Sequence, residues 1–349
     1  MTLVPPVQLV PHGVGVADTW DAKLKGNWGQ LKKLKAMYPN VKVMISLGGW
    51  TWSRGFSSAA RPENRVAFVK SCVDAYIKGD LPVVEGAGGP GAAAGVFDGI
   101  DLDWEYPGSC GLTCGAPEDA VNFTGLLAEF RRQLDAVRPG LLLTIAVGAG
   151  EDKIQPIQIS QIAPYLDGVN VMTYDFFGAF DVDGPTAFHS ALYAWTGMPS
   201  NTPVNRYYSD NAIQLWKQGG MPASKLRLGI GFYGRGWTGV TNANNGLNQP
   251  ATAAAACVTD NNPAYPCEAG NADYKALKIQ PGYTQHVSTQ AGTAWIFNGS
   301  TFWSYDTPTT IGTKMNYVRQ QGLGGAFFWE FNGDTSNGEL VTAMRNGLP

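Results

Sequence analysis

From residue 41 onward the chain alternates short apolar runs with longer stretches in which apolar residues recur every three or four positions. The apolar runs lie at 41–46, 97–104, 141–147, 167–174, 226–233 and 324–330, each rich in Val, Ile, Leu or aromatic residues. Runs of this kind suit parallel strands covered by helices. Between them the spacing predicts helices at about 62–78, 118–137, 156–165, 209–218 and 308–320. In the second, Val121, Phe123, Leu126, Leu127, Phe130 and Leu134 return at helical intervals. Pro62 and Pro308 stand where a first-turn proline is tolerated. Repeated strand–helix units predict a parallel α/β fold. No glycine fingerprint with a following ribose-binding acid and no Walker loop is present. A (β/α)8 TIM barrel is therefore favoured over a nucleotide-binding doubly wound sheet.

Two stretches interrupt the alternation. Residues 86–95, Gly-Ala-Gly-Gly-Pro-Gly-Ala-Ala-Ala-Gly, precede a strand and read as a floppy connector at the barrel's non-catalytic end. Residues 238–301 are longer and polar and read as a small subdomain inserted at the catalytic end. The barrel domain would then comprise residues 1–237 and 302–349.

Composition narrows the function. Charged residues make up 15% and the net charge is −3, which makes disorder and coiled coil poor descriptions. No Lys/Arg cluster stands out, so no nucleic-acid partner is expected. No run of 18 apolar residues occurs, so no ordinary membrane span is expected either. Eleven Trp hint at stacking on flat ligands. Of the five Cys, Cys110 and Cys114 form one close pair and Cys257 and Cys267 another. The three His (His12, His189, His286) lie away from both pairs, so two local disulfides in an exported protein are expected, not zinc sites. Cys72 is left over, as a buried thiol or one parted from its partner. The first residues carry no recognisable signal peptide, so an upstream part of a longer precursor is expected to be absent.

The most informative segment is Asp98-Gly-Ile-Asp101-Leu-Asp103-Trp-Glu105. Strand side chains alternate, so Asp101, Asp103 and Glu105 share one face while Ile100, Leu102 and Trp104 share the other. Three converging carboxylates are costly, because burial and like charge both disfavour ionisation, so some must share protons. Such an arrangement points to chemistry. A divalent cation site would need further oxygen or His ligands at neighbouring strand ends. Those ends carry Ser46-Leu-Gly-Gly-Trp50, Met172-Thr-Tyr174-Asp175 and Trp329 instead, a floor for a sugar. No metal or other cofactor is expected. Glu105 is last on the strand, where barrel enzymes place reacting groups, and is the natural general acid.

These motifs resemble those of family 18 glycoside hydrolases, the chitinases. Asp98 to Glu105 matches the family's Asp-x-x-Asp-x-Asp-x-Glu, and Ser46-Leu-Gly48-Gly49-Trp50 resembles its third-strand motif. Met172-Thr-Tyr174-Asp175, Tyr233-Gly-Arg235-Gly-Trp237 and Trp329 look like its sixth, seventh and eighth. The likeness is greatest to secreted actinobacterial, Streptomyces-type chitinases with an α+β insertion after strand seven. It implies retaining, substrate-assisted hydrolysis of chitin or chitooligosaccharide. Glu105 would protonate the glycosidic oxygen, Asp103 would orient the N-acetyl group with Tyr174, and Asp101 would exchange a proton with Asp103. Trp329, Met172 and Asp175 would line the subsite of the distorted sugar, although alternation puts Asp175 out of phase with Tyr174, so the chain must turn there. Tyr233, Arg235 and Glu330 would contact sugar, and Trp50, Trp52 and Phe180 are stacking candidates. Ser46, Gly48 and Gly49 would serve backbone packing, and His189 reads as an ordinary polar contact. A secreted monomer is expected.

The resemblance is incomplete at the start. The family barrel begins with two strands before the Ser-x-Gly-Gly strand, and residues 1–30 contain neither unless Val7–Val10 forms an unconventional one. A barrel lacking its first two strands is therefore expected. Two rival functions remain open on the sequence: an endo-β-N-acetylglucosaminidase acting on N-glycans, and a chitin-binding lectin on the same barrel. Glu105 argues against the second.

Overall fold

The computed structural model describes residues 18–258 and 268–348. Six parallel strands carry the fold: β1 (Met44–Gly48), β2 (Gly99–Asp103), β3 (Leu142–Gly148), β4 (Gly168–Met172), β5 (Leu226–Gly231) and β6 (Gly325–Trp329). The chain divides into two compact units, one of residues 1–145 with 164–167, the other of residues 146–163 with 168–349. In the first unit the strand order is β1–β2–β3, and Ser46 and Gly48 lie opposite Asp101 and Asp103. In the second, the end of β3 is followed by β4–β5–β6, with Trp329 opposite Gly231. All six predicted strands are present within a few residues, and the fold is mixed α/β of the (β/α)8 type. Among the described residues no strand precedes β1, as expected for a barrel without its first two. Val7–Val10 lies outside the described residues.

The helices follow the apolar spacing, with informative departures. The helix Pro62–Cys72 runs on as a π-helix over Val73–Lys78, as the periodicity to residue 78 predicts. Gly79 stops it with φ 78°, where a Cβ would lie 2.1 Å from the Ala94 nitrogen. Asp119–Val137 buries Phe123, Leu126, Leu127, Phe130 and Leu134, but leaves Val121 exposed. The helix expected at 156–165 is only Ile159–Ile162, followed by a 3-10 turn over Ala163–Tyr165. Pro164 in that turn has no N–H to continue an α-helix. Among the described residues, two longer helices have no counterpart in the apolar spacing, Gly26–Met37 and Glu339–Gly347, besides three four-residue ones. The first carries two glycines and buries little. The second buries Leu340 and Met344, an i, i+4 pair that betrays it.

The glycine-rich stretch is not a floppy connector. Leu81–Val84 and Ala87–Gly89 form an antiparallel hairpin, with Glu85 (φ 48°) and Gly86 (φ 80°) in the left-handed region that a tight hairpin turn demands. Ala93 and Val96 beyond it are fully buried. Glycines that read as slack are there for turn geometry.

The second unit also holds an antiparallel sheet in the order Asn271–Asp273, Tyr233–Thr238, Phe302–Tyr305, Thr293–Phe297, Thr284–Ser288, with Ala253–Ala254 paired to Tyr233–Thr238. The apolar run 226–233 thus breaks after Gly231: β5 stays in the parallel sheet, and Tyr233 opens a strand of the other. Trp237, Phe302, Trp303 and Tyr305 form its buried centre.

Cys110 and Cys114 are joined by a disulfide. Cys257 is also disulfide-bonded, while Cys267 lies outside the described residues. Cys72 is a buried free thiol, and burial pushes it up to about 11.

Candidate active site

The first unit carries the acid strand. Ile100 and Leu102 are fully buried, and Trp104 stacks on Phe56 (centroids 5.4 Å apart) and meets Phe123 edge-on at 5.6 Å. With those side chains committed to the helix layer, alternation turns Asp101 and Asp103 to the opposite face. Gly99 lets β3 approach closely, since a Cβ there would lie 2.3 Å from the Leu142 carbonyl oxygen.

Asp101 is buried and accepts hydrogen bonds from Ser46 Oγ (2.8 Å) on β1 and from Thr144 Oγ1 on β3. Two hydroxyls from the flanking strands thus hold its oxygens. Ser46 therefore does more than pack. Gly48 and Gly49 do serve backbone approach: the Gly49 N–H donates to Asp103 O at 2.7 Å, and a Cβ on Gly48 would lie 2.1 Å from that oxygen.

Asp103 sits in a different environment. Burial, then the neighbouring Glu105 and Asp101 charges, push its carboxyl up to about 8. Its Oδ1 is buried and has no hydrogen-bond partner among the described residues. At neutral pH Asp103 is consequently a protonated acid lying between two other carboxyls. Such a group can pass its proton to a neighbouring carboxylate with no change in the net charge of the three acids.

Glu105 lies just past the end of β2, half-buried. Its N–H donates to Ser53 Oγ (3.0 Å), a hydroxyl 2.8 Å from Gly49 O and 3.0 Å from Asp103 O. Ser53 thus ties the β1 and β2 ends together behind the acid. Nothing in the sequence marked Ser53 or Thr144, because each acts through a partner more than forty positions away. Gly111, in the disulfide-closed loop, lies against Glu105, since a Cβ would come within 2.5 Å of its carbonyl oxygen and 3.4 Å of Trp50. Trp50 is half-exposed and Trp52 is 81% exposed, so neither is a core residue.

The second unit carries the remaining candidates. β4 ends at Met172, and Thr173 Oγ1 bridges to β5 by donating to Gly229 O (2.7 Å) and accepting from Gly229 N (2.9 Å). The turn expected between Tyr174 and Asp175 is present: Asp175 has φ 57°, in the left-handed region. Tyr174 meets Tyr233 and Phe327 edge-on at 6.0 and 6.1 Å. Gly229 makes room for them, since a Cβ there would be 2.9 Å from both the Tyr174 and Phe327 rings.

Asp175 accepts from Arg235 Nε at 2.7 Å. Burial acts to raise the Asp175 carboxyl, but the Arg235 guanidinium outweighs it and holds the group below the usual range. Arg235 also lies over the Tyr233 ring at 5.4 Å and is largely buried, so it is not a loose surface pair. Burial, with the Asp175 charge, raises the Tyr233 phenol well above its ordinary value.

Met172 is half-buried, and Phe180 and Trp329 are exposed apolar surfaces. Glu330, which follows Trp329 through a cis peptide bond, is raised by burial and then by Asp273, with Lys275 opposing. His189 is more than an ordinary polar contact: it is fully buried, with Nδ1 3.9 Å from Asp175 Oδ1 and its ring 5.3 Å from Tyr233. No local pattern announced it.

The sequence pattern of "Glycosyl hydrolases family 18" matches residues 8–334. The chain belongs to that family. Among relatives of this family, "Chitinase 63" of Streptomyces plicatus is 47% identical over 96% of this chain and 50% of its own length. "Chitinase A1" of Niallia circulans is 38% identical over 95% of this chain and 46% of its own. The chain thus spans about half the length of the curated relatives it matches. Among solved family 18 structures, the catalytic domain of psychrophilic chitinase B from Arthrobacter TAD20 superposes with a TM-score of 0.86. It is 41% identical, with 95% of this chain and 75% of that one covered.

Proposed function

We propose that this chain is the catalytic part of a chitinase, hydrolysing β-1,4-linked N-acetylglucosamine in chitin and chitooligosaccharides with retention. The observation that carries the proposal is the acid strand itself, with Asp101 held by Ser46 and Thr144 and Asp103 Oδ1 buried without a hydrogen-bond partner among the described residues, a setting that pushes the Asp103 carboxyl up to about 8. The named chitinases among its relatives support the same substrate class.

Glu105 donates its proton to the glycosidic oxygen as the bond to the anomeric carbon breaks. The substrate's own acetamido oxygen attacks that carbon, forming an oxazolinium ion and removing the need for a carboxylate nucleophile. Asp103 hands its proton to Asp101 and, as a carboxylate, accepts the acetamido N–H and balances the positive charge that develops there. Ser46 and Thr144 hold Asp101 ready for that exchange. Glu105, now ionised, removes a proton from water, whose oxygen opens the oxazolinium ion and restores the acid. Tyr174, on the second unit, is a further candidate to bind the acetamido group. Trp329 provides a stacking floor, with Met172, Asp175, Tyr233, Arg235 and Glu330 as further sugar contacts. Trp50 and Trp52 in the first unit and Phe180 in the second are further stacking candidates for sugar rings.

The proposal extends to residues 238–301 as the inserted subdomain, to a monomer and to secretion. No helix among the described residues is long and apolar enough to cross a membrane.

Release of reducing ends from colloidal chitin, with the product anomer followed by NMR, tests the reading. β-Anomer first from the wild type and none from Glu105→Gln is expected. Binding without turnover would favour a lectin, and release of high-mannose glycans without chitin cleavage would favour action on N-glycans.

A further inference from the structure

Asp175 is a non-glycine residue held at φ 57°. That conformation costs on the order of 1 kcal/mol or more and persists only where the surroundings impose it. The two consecutive backbone amides that leave this turn have one destination. The Asp175 N–H points to His189 Nδ1 at 3.5 Å, and the Phe176 N–H donates to His189 O at 3.0 Å.

We propose that His189 is a positioning residue, a clamp that fixes the Tyr174–Asp175 turn and aims the Asp175 carboxylate at Arg235. The inference rests on the reading that Tyr174 and Asp175 contact the sugar.

The clamp is itself immobilised. The His189 side chain is fully buried, its backbone N–H donates to Ser304 Oγ at 3.1 Å, and its ring packs on Tyr233. Gly231 leaves just enough space: a Cβ there would lie 3.0 Å from His189 Cε1 and 3.1 Å from Tyr233 Cε1. Burial keeps the imidazole neutral, with its pKa lowered to about 4. A neutral ring that accepts at Nδ1 carries its proton on Nε2, and Nε2 has no partner among the described residues. The bare Nδ1 offers the Asp175 carboxylate no donor from 3.9 Å, whereas Arg235 offers one at 2.7 Å. The carboxylate therefore settles on the guanidinium. A merely space-filling ring would need no acceptor at Nδ1 and would not leave a buried N–H orphaned, which is costly.

His189→Phe keeps the ring's bulk and removes the acceptor, while His189→Asn places an amide oxygen near the position of Nδ1. Steady-state kinetics on chitotetraose are expected to show kcat of His189→Phe reduced on the order of tenfold to a hundredfold, with KM changed by less than about threefold. His189→Asn should recover most of the loss. Gly231→Ala, which crowds the His189 and Tyr233 rings together and leaves the imidazole chemistry intact, should lower kcat in the same sense and, read with the exchange of the Asp175 and Phe176 amides, covers the case in which His189→Phe does not fold. Unchanged kcat in folded His189→Phe or in Gly231→Ala, or an Asn variant as impaired as the Phe variant, would overturn the clamp. Amide exchange separates the clamp from the proposed activity. Protection of the Asp175 and Phe176 amides in the wild type, lost in His189→Phe, supports the clamp even if no turnover is found. Equal exchange in both proteins refutes it.

Discussion

Replacing Asp103 with Asn probes the electrostatics of the acid strand. In the folded protein its carboxyl is raised from 3.8 to about 8, by burial first and then by Glu105 and Asp101. Between those two values the native state holds a proton that the unfolded chain has lost. The group therefore makes stability fall as pH rises through this window, with no further loss above the folded value. At pH 7 the solution is roughly 3 pH units above the unfolded value, equivalent to about 4 kcal/mol at about 1.4 kcal/mol per unit. Glu105 and Asp101 carry part of that strain, so a net gain of about 2 kcal/mol is expected for Asp103→Asn at pH 7, shrinking toward zero near pH 4. Asn is isosteric and neutral, and Asp103 Oδ1 has no hydrogen-bond partner among the described residues to lose. Urea unfolding of both proteins across this pH range measures the effect as a flatter stability profile in the variant. Turnover should fall by about a hundredfold or more, because an amide cannot exchange the proton. An Asn variant no more stable than wild type at pH 7, or one with the same pH slope, would refute a neutral buried Asp103.

Ser46→Ala leaves Asp101 with one hydroxyl fewer and should cost about 1–2 kcal/mol in the same unfolding assay, with Ser46→Thr recovering part of it. Arg235→Leu strips the cation from a partly exposed Asp175. Stability should drop by about 1–3 kcal/mol, read by chemical denaturation, with the Asp175 carboxyl moving upward in an NMR titration. Trp52→Ala should leave the unfolding midpoint within error, because the side chain is 81% exposed. It should weaken chitotetraose binding by about fivefold in calorimetry, about 1 kcal/mol of stacking.

Much of the fold could be read locally because its rules are local. Six buried apolar runs and the helices between them follow from periodicity, and the order of the motifs follows from the chain itself. Departures arose where one residue type serves two purposes. Glycines at 86 to 95 looked like slack and serve a hairpin up to Gly89 and turns at Gly91 and Gly95, and Pro164 shortened a helix that apolar spacing alone would have lengthened. The break at Phe232 between two sheets was invisible because Tyr233 suits either a parallel or an antiparallel strand.

By itself the sequence determined that Asp101 and Asp103 lie on the face opposite Ile100 and Leu102, since alternation along one strand needs no partner. It likewise required a turn between Tyr174 and Asp175. The tertiary structure decided where the protons and charges reside. Ser46 and Thr144 reach Asp101 from strands 55 and 43 positions away, whereas one buried oxygen of Asp103 meets no hydrogen-bond partner among the described residues. His189 meets the Asp175 turn across 14 residues, and Arg235 meets the same carboxylate across 60. Ionisation depends on solvent exclusion and on charges a few ångströms away in space, and neither is a property of neighbours along the chain.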